Sequence, residues 1–400
     1  MISERVYFDN AATTFPKPAG VAQAVYDYIK NIGCNVNRSS YAGAYDAEEV
    51  IFETRRRLKR LFNASDETNI IFTPSDTYSL NMLIKGIVRK NDHILVSSME
   101  HNAVMRPVEA LSRNGVITYD VLECGVDGTI TPEDMLNALE NALEKARIEK
   151  KCFRVVILNH GSNVCGSILP IETAGRFCRE YGIFLIADCA QTAGVLDIDM
   201  QRMNIDAVSF SGHKGLYGPQ GTGGFAISDA MRSELETIIE GGTGSFSHLL
   251  VMPERSPDKF EAGTLNIPGI YGLNEGLKFI EETGIENIRI HEGIVAECFL
   301  KGIAGAAGVR IAGCTSVNAR VPVLPVVSLI CENMDAAEFA YRLETEYNIW
   351  TRVGLHCAPQ AHKTIGTFPS GTVRFSFGYF NTTEEAEYGA QAVRSICERG

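Results

Sequence analysis

One lysine, Lys214, stands in the stretch SFSGHKGLYGPQG (Ser209–Gly221), among four glycines and almost no other charge. Surface lysines usually sit among acidic and basic neighbours on helices. An amine in a stiff turn directly after an apolar strand is partly desolvated, which disfavours its charged form and frees it as a nucleophile toward carbonyl compounds. Cys357 stands out next, in RVGLHCAP (Arg352–Pro359). Gly354 and Pro359 mark a loop, and the nearby Arg352 and His356 would favour the thiolate, the nucleophilic form of the thiol. His356 either assists that thiolate or packs under the loop. The chain has eleven cysteines and no C-x-x-C pair, so no structural zinc site is expected. Cysteines such as Cys34, Cys124, Cys165, Cys189 and Cys298 read as small buried hydrophobes of a reduced-compartment protein.

Further polar groups recur where apolar runs end. Asn69–Thr73 runs into Pro74-Ser75-Asp76-Thr77, which reads as a helix cap and equally as an anion cradle at a helix N-terminus near Tyr78. His93–Ser97 leads to His101, a helix-start residue or a ring that stacks on a planar ligand. Arg154–Asn159 leads to Asn163, and Ile183–Asp188 ends at Asp188, followed by Gln191. An Asp there is a turn residue or a carboxylate that pairs with a cationic ring nitrogen. Ala207–Ser211 leads to His213 and Lys214. A phosphate cradle, a stacking ring, an amide, a carboxylate and an amine, in that order, fit pyridoxal 5'-phosphate (PLP). A nucleotide-binding reading lacks both GxxxxGK[ST] and a GxGxxG between strand and helix.

The elements that position these groups alternate. Those runs and Gly224–Ile227 read as strands, with helices between them at Asn102–Asn114, Pro132–Glu149 and Glu172–Tyr181. This is an α/β pattern with a mostly parallel sheet covered on both faces, and its ligands belong beyond the carboxyl ends of the strands. After residue 265 the texture changes to helices Gly269–Glu282 and Glu286–Ala304, strands Val309–Ile311 and Val326–Cys331, helix Ala336–Tyr347, strand Thr372–Phe377 and helix Thr383–Glu398. That reads as a smaller α+β domain. The expected division is 16–265 for the large, ligand-binding domain, with 1–15 and 266–400 forming the small one that carries the Cys357 loop. A net charge of −12 argues against nucleic acid. The apolar window Val321–Cys331 is too short and proline-broken to span a bilayer, and no signal-peptide layout opens the chain. A soluble cytoplasmic protein is expected.

The pieces YFDNAATTFPKP, MEHNAV, SNVCG, ADCAQ and SFSGHKGLYGPQG resemble class V, fold-type I PLP enzymes, and FEAGTLN, RVGLHCAP and TVRFSFGYFNT narrow the resemblance to cysteine desulfurases. Within these the chain is similar to the group with a short Cys-bearing loop, which also includes selenocysteine lyases. The resemblance runs from about residue 6 to 395 and implies a seven-stranded, mostly parallel sheet in the large domain. It implies that Lys214 binds the cofactor aldehyde and moves the substrate Cα proton. Asp188 would hold the ring nitrogen, Gln191 the ring hydroxyl side, and Asn163 the region between ring hydroxyl and substrate carboxylate. His101 would stack on the ring. Thr77, Asp76, Ser211 and His213 would surround the phosphate, and Thr264 would reach it from the other subunit of a homodimer. Arg374 would clamp the substrate carboxylate. Cys357 would take the sulfur of L-cysteine as a persulfide, leaving L-alanine, before an acceptor thiol or protein removes it. L-selenocysteine as substrate, aminotransfer, and a non-catalytic scaffold are the other readings. The resemblance is broken at one place: Ser75-Asp76-Thr77-Tyr78 stands where G-[TA]-T-E is usual, and an Asp beside a phosphate is repulsive unless it turns away.

Overall fold

The computed structural model describes residues 5–36, 41–314 and 323–399. Strand β1 (Val6–Tyr7) and helices α1 (Ala19–Asp27) and α2 (Ala42–Phe62) come first. The alternation then sets in: β2 (Ile70–Thr73), α3 (Asp76–Ile87), β3 (Asp92–Ser97), α4 (Asn102–Arg113), β4 (Ile117–Leu122), α5 (Pro132–Ile148), β5 (Cys152–Asn159) and α6 (Ile171–Tyr181). β6 (Phe184–Asp188), β7 (Ala207–Ser211), β8 (Gly223–Ile227) and the short α7 (Asp229–Glu234) complete the set.

These strands form one seven-stranded sheet in the order β2-β8-β7-β6-β5-β3-β4. β3 to β7 run parallel, while β8 is antiparallel to both of its neighbours, β2 and β7. β2, β3, β7 and β8 are buried at every position, as a sheet covered on both faces requires. One apolar core lies on each face. One holds Leu158, Leu185, Val208 and Phe210; the other holds Ile94, Ile157, Ile186 and Phe225. The mostly parallel sheet is as expected. β4 was not foreseen, because it is an edge strand whose middle residues Thr118, Tyr119 and Asp120 are only half-buried.

The rest of the chain contributes α8 (Ile267–Thr283), α9 (Ile285–Ile303), β9 (Val309–Ala312), β10 (Val326–Cys331), α10 (Ala336–Tyr347) and β11 (Ile349–Trp350). β12 (Arg352–Gly354), α11 (Pro359–Thr364), β13 (Thr372–Ser376) and α12 (Thr383–Arg399) follow. An antiparallel sheet, β12-β13-β10-β9, packs against α9, α10 and α12 around Phe299, Phe339, Phe375 and Phe377. β1 pairs with β11 in parallel, and Phe8 joins this core with its ring 4.9 Å from that of Phe377. The N-terminal strap thus belongs with the small sheet; residues 1–4, counted with it, and 321–322 of the apolar window lie outside the described residues.

The boundary expected at 266 shifts. Ile267, Ile270, Leu273, Leu277 and Ile280 of α8 are buried in the core of the large sheet, against α1 and α2, whereas the small core starts at Val295. By burial, α8 packs with the large unit, and Ile288 in the first turn of α9 still lies in its core. Helical periodicity shows which face of a helix is apolar, but not which neighbour covers it.

Candidate active site

The carboxyl ends of β2, β3, β5, β6 and β7 open on one cleft, lined by Ser75, Asp76, Thr77, His101, Asn159, Gly161, Asn163, Asp188, Ala190, Gln191, Ser211, His213 and Lys214. The residues singled out at the strand ends are therefore brought together. Cys357, Arg374 and Thr264 are positioned by other segments.

Lys214 sits in a turn that leaves β7 and presses against α8. A Cβ on Gly276 of α8 would stand 2.3 Å from the Leu216 carbonyl oxygen, and one on Gly215 2.5 Å from the Ala193 carbonyl oxygen. Only glycine permits these approaches. Burial pushes the Lys214 amine down, aided by Arg374 and Arg352 and opposed by Asp76 and Asp188. A lowered amine is the form that attacks an aldehyde. Thr14 fastens the turn by donating to the Lys214 carbonyl at 3.1 Å, and Lys17 donates to the His213 carbonyl at 2.6 Å. Lys17 carries no partner carboxylate there, and burial lowers it to about 7.

Asp188 ends β6, is 3% exposed and accepts the Ala190 N–H at 3.0 Å. Burial raises its carboxyl, against the Ala190 hydrogen bond and Lys214. Gln191 lines the cleft while its amide donates to the Ala11 carbonyl at 2.9 Å, tying the N-terminal strap to the site. His101 is the N-cap of α4: its Nδ1 accepts the Ala103 N–H at 3.0 Å. Cap and cleft wall are therefore one residue, and burial lowers its imidazole to about 4, so the ring is neutral. Burial, Lys214 and Lys17 likewise lower His213 to about 4. α3 begins at Asp76, two residues before the expected start, with Ser75 as its cap, so its first N–H groups border the cleft next to Thr77. A helix N-terminus in this position suits a phosphate.

Arg374 on β13 is 2% exposed, and its guanidinium donates to Asp9 Oδ1 at 2.8 Å and to the Asn163 carbonyl at 2.9 Å. Its Nε has no hydrogen-bond partner among the described residues. Asn163 also donates through its side chain to the His356 carbonyl at 2.7 Å, and Asn102 N–H donates to the Cys357 carbonyl at 2.8 Å. Two hydrogen bonds thus moor the cysteine loop to the rim of the cleft. Both His356 (φ 48°) and Cys357 (φ 58°) adopt the left-handed region, which turns the backbone sharply and leaves Cys357 exposed. His356 packs under the loop: it is 6% exposed, its Nε2 meets Thr372 Oγ1 at 3.0 Å, and burial together with Arg374 drives it far below the usual imidazole range. Of the two readings of His356, its burial favours packing under the loop. Arg352 leans on Asp9 at 3.8 Å.

Thr264 is exposed beside Thr73 and Gly221–Gly223 and does not line the cleft of its own chain. Sequence reasoning missed Asp9, Lys17 and Glu100. Glu100 is completely buried; its Oε1 accepts the Ser97 hydroxyl at 2.5 Å and the Asn159 N–H at 2.7 Å, locking β3 to β5 next to His101. Each lies in a quoted motif, but its task is set by partners far away in sequence.

PLP fits these residues. Asp76 Oδ1, Asn163 Oδ1 and His213 Nδ1 are buried polar atoms around one cleft without hydrogen-bond partners among the described residues, beside an amine, a carboxylate and a helix N-terminus. Fold and site define a PLP-dependent enzyme of fold type I. The family description aminotransferase class-V matches residues 6–388, and the chain belongs to that family. It is 30% identical to a probable cysteine desulfurase of Methanothermobacter thermautotrophicus, covering 100% of this chain and 96% of that protein. It is 33% identical to the cysteine desulfurase IscS of Pseudomonas entomophila, covering 97% and 91%. Among solved structures, the apo cysteine desulfurase of Thermococcus onnurineus superposes with a TM-score of 0.87 at 26% identity, covering 99% of this chain and 95% of that one. The cysteine desulfurase CsdA of Escherichia coli gives 0.83 at 25%, with 99% and 95% covered.

Proposed function

We infer that the protein is a PLP-dependent cysteine desulfurase that takes the sulfur of L-cysteine onto Cys357 and leaves L-alanine. The observation that carries this is the mooring of an exposed cysteine to the rim of the Lys214 cleft, through Asn102 N–H to the Cys357 carbonyl (2.8 Å) and Asn163 to the His356 carbonyl (2.7 Å).

Bound PLP supplies an electron sink for the substrate Cα carbanion. Lys214 and Asp188 would hold it by its aldehyde and ring nitrogen, with His101 against the ring and Thr77, Ser211 and His213 near the phosphate. Arg374, already oriented by Asp9 and Asn163, receives the substrate carboxylate in its planar fork. The lowered Lys214 amine takes the Cα proton. The Cys357 thiolate attacks the substrate Sγ; the Cβ–Sγ electron pair stays on carbon, which takes up a proton as the alanine methyl group, and Lys214 returns the proton it took to Cα. Cys357 is left with a persulfide, which an acceptor thiol or an acceptor protein removes. Thr264, absent from its own chain's cleft, completes the phosphate site of a second copy in a homodimer.

Replacing Cys357 by Ser tests this. The variant is expected to keep PLP and its Lys214-dependent visible absorbance, while sulfide release from cysteine falls by about two orders of magnitude or more. Undiminished sulfide release from Cys357→Ser overturns the persulfide role. Running selenocysteine alongside distinguishes a lyase, whose release of the better leaving group does not depend on Cys357.

A further inference from the structure

The turn from β2 into α3 departs from the glycine-threonine cradle, and its Asp76 does not turn away from the cleft. It is 8% exposed, lines the cleft together with Asp188 and Lys214, and leaves its Oδ1 without a hydrogen-bond partner. The groups facing it come from several elements: Asp188 at the end of β6, Lys214 in the turn after β7, and the hydroxyl of Ser209 on β7. His101 and His213 line the same cleft as neutral rings. Burial, reinforced by Asp188 and opposed by Lys214 and the Ser209 hydroxyl, raises the Asp76 carboxyl well above the usual carboxylate range.

Two carboxyl groups thus share one cleft with the Lys214 amine, and that amine is used up when it binds the cofactor aldehyde. The cofactor brings a phosphate of close to two negative charges to the start of α3, where Asp76 is the first residue. Two buried carboxylates that line one cleft with such an anion do not both stay ionised; one keeps a proton.

We propose that Asp76 and Asp188 form a carboxyl pair holding one proton, with Asp76 the neutral member, so that the ring nitrogen meets a single negative charge and the phosphate meets none from Asp76. Asp76 is a positioning residue: it sets the charge of the cleft and acts on the cofactor through Asp188. The proposal rests on PLP binding at Lys214. It also fixes a sign. As pH rises, Asp76 ionises, a second negative charge appears in the cleft, and PLP is held less tightly.

Two neutral replacements, Asp76→Asn and Asp76→Thr, test it with and without PLP. The first readout is the infrared difference between wild type and Asp76→Asn in the carbonyl region of protonated carboxylic acids. The second is the PLP dissociation constant as a function of pH, followed by the Lys214-dependent absorbance. We expect the variants to lack one carboxylic-acid band present in the wild type at neutral pH. Asp76→Asn should hold PLP within about threefold of wild type there, and the wild type should weaken by up to about tenfold per pH unit more than either variant once Asp76 ionises. No lost band, with Asp76→Asn binding PLP about tenfold or more tightly at neutral pH, shows Asp76 to be ionised and overturns the pair. Wild type and variants titrating in parallel overturn it as well. If the wild type forms no Lys214-dependent absorbance, PLP binding itself fails, and the same infrared difference taken in a Lys214→Ala background, where the amine is removed as cofactor binding would remove it, still decides the pair.

Discussion

Glu100 offers the sharpest link between the site's framework and a measurable slope. Its carboxyl is completely buried, and burial raises it from 4.5 to about 8 despite hydrogen bonds from Ser97 and Asn159. In the unfolded chain the same group ionises near its ordinary value, so between roughly pH 4.5 and 8 the folded state binds the extra proton. The sign follows: Glu100 favours the folded state fully at acid pH, and that contribution is lost as pH rises toward 8. The slope is about 1.4 kcal/mol per pH unit, giving a loss of about 3 kcal/mol by pH 7. Glu100→Gln removes the titration and keeps an oxygen to accept from Ser97 and Asn159. It buries an unpartnered amide, costing about 1–3 kcal/mol, but this offset does not vary with pH. Urea unfolding of wild type and Glu100→Gln, both loaded with PLP, should show the wild-type advantage at pH 5 shrink and reverse on the way to pH 8. Glu292, also raised to about 8 by burial, titrates in both proteins and cancels in the difference. Parallel stability profiles across this range would refute a neutral Glu100 as the lock between β3 and β5.

Arg374→Lys replaces a fork that holds Asp9 and Asn163 together with a single ammonium point. The KM for cysteine should rise about ten- to a hundredfold, with the Lys214-dependent absorbance retained; an unchanged KM would remove Arg374 from carboxylate binding. Thr264→Ala should weaken PLP binding in the dimer by about tenfold, the worth of one hydrogen bond to a charged group. Equilibrium dialysis with PLP checks it, and an unaltered dissociation constant would leave Thr264 without a role at the phosphate.

Much of this site was legible because a parallel sheet places its chemistry where apolar runs stop. Asp188, His101, Asn163 and Lys214 each follow such a run and meet in one cleft. The mooring of the Cys357 loop was not legible, since Asn102 and Cys357 are joined only by tertiary packing. For the same reason the two readings of His356, assisting the thiolate or packing under the loop, are separated only by the burial of its ring against Thr372. Asp9 and Glu100 are single acidic residues in polar motifs, and only their buried partners, Arg374 and Asn159, reveal what they do. β4 and the allegiance of α8 escaped for a related reason: an edge strand need not be apolar, and an amphipathic helix does not name the face that covers it.

The central claim is that sulfur leaves cysteine by way of Cys357. Incubation of the PLP-loaded protein with L-cysteine, without an acceptor thiol, followed by intact-mass and peptide-mass analysis, tests it most directly. The account predicts a mass gain of one sulfur atom, mapped to Cys357 and absent from Cys357→Ser, with alanine formed in equal amount. Alanine formed with no adduct on Cys357, or an adduct on another cysteine that survives in Cys357→Ser, would contradict it.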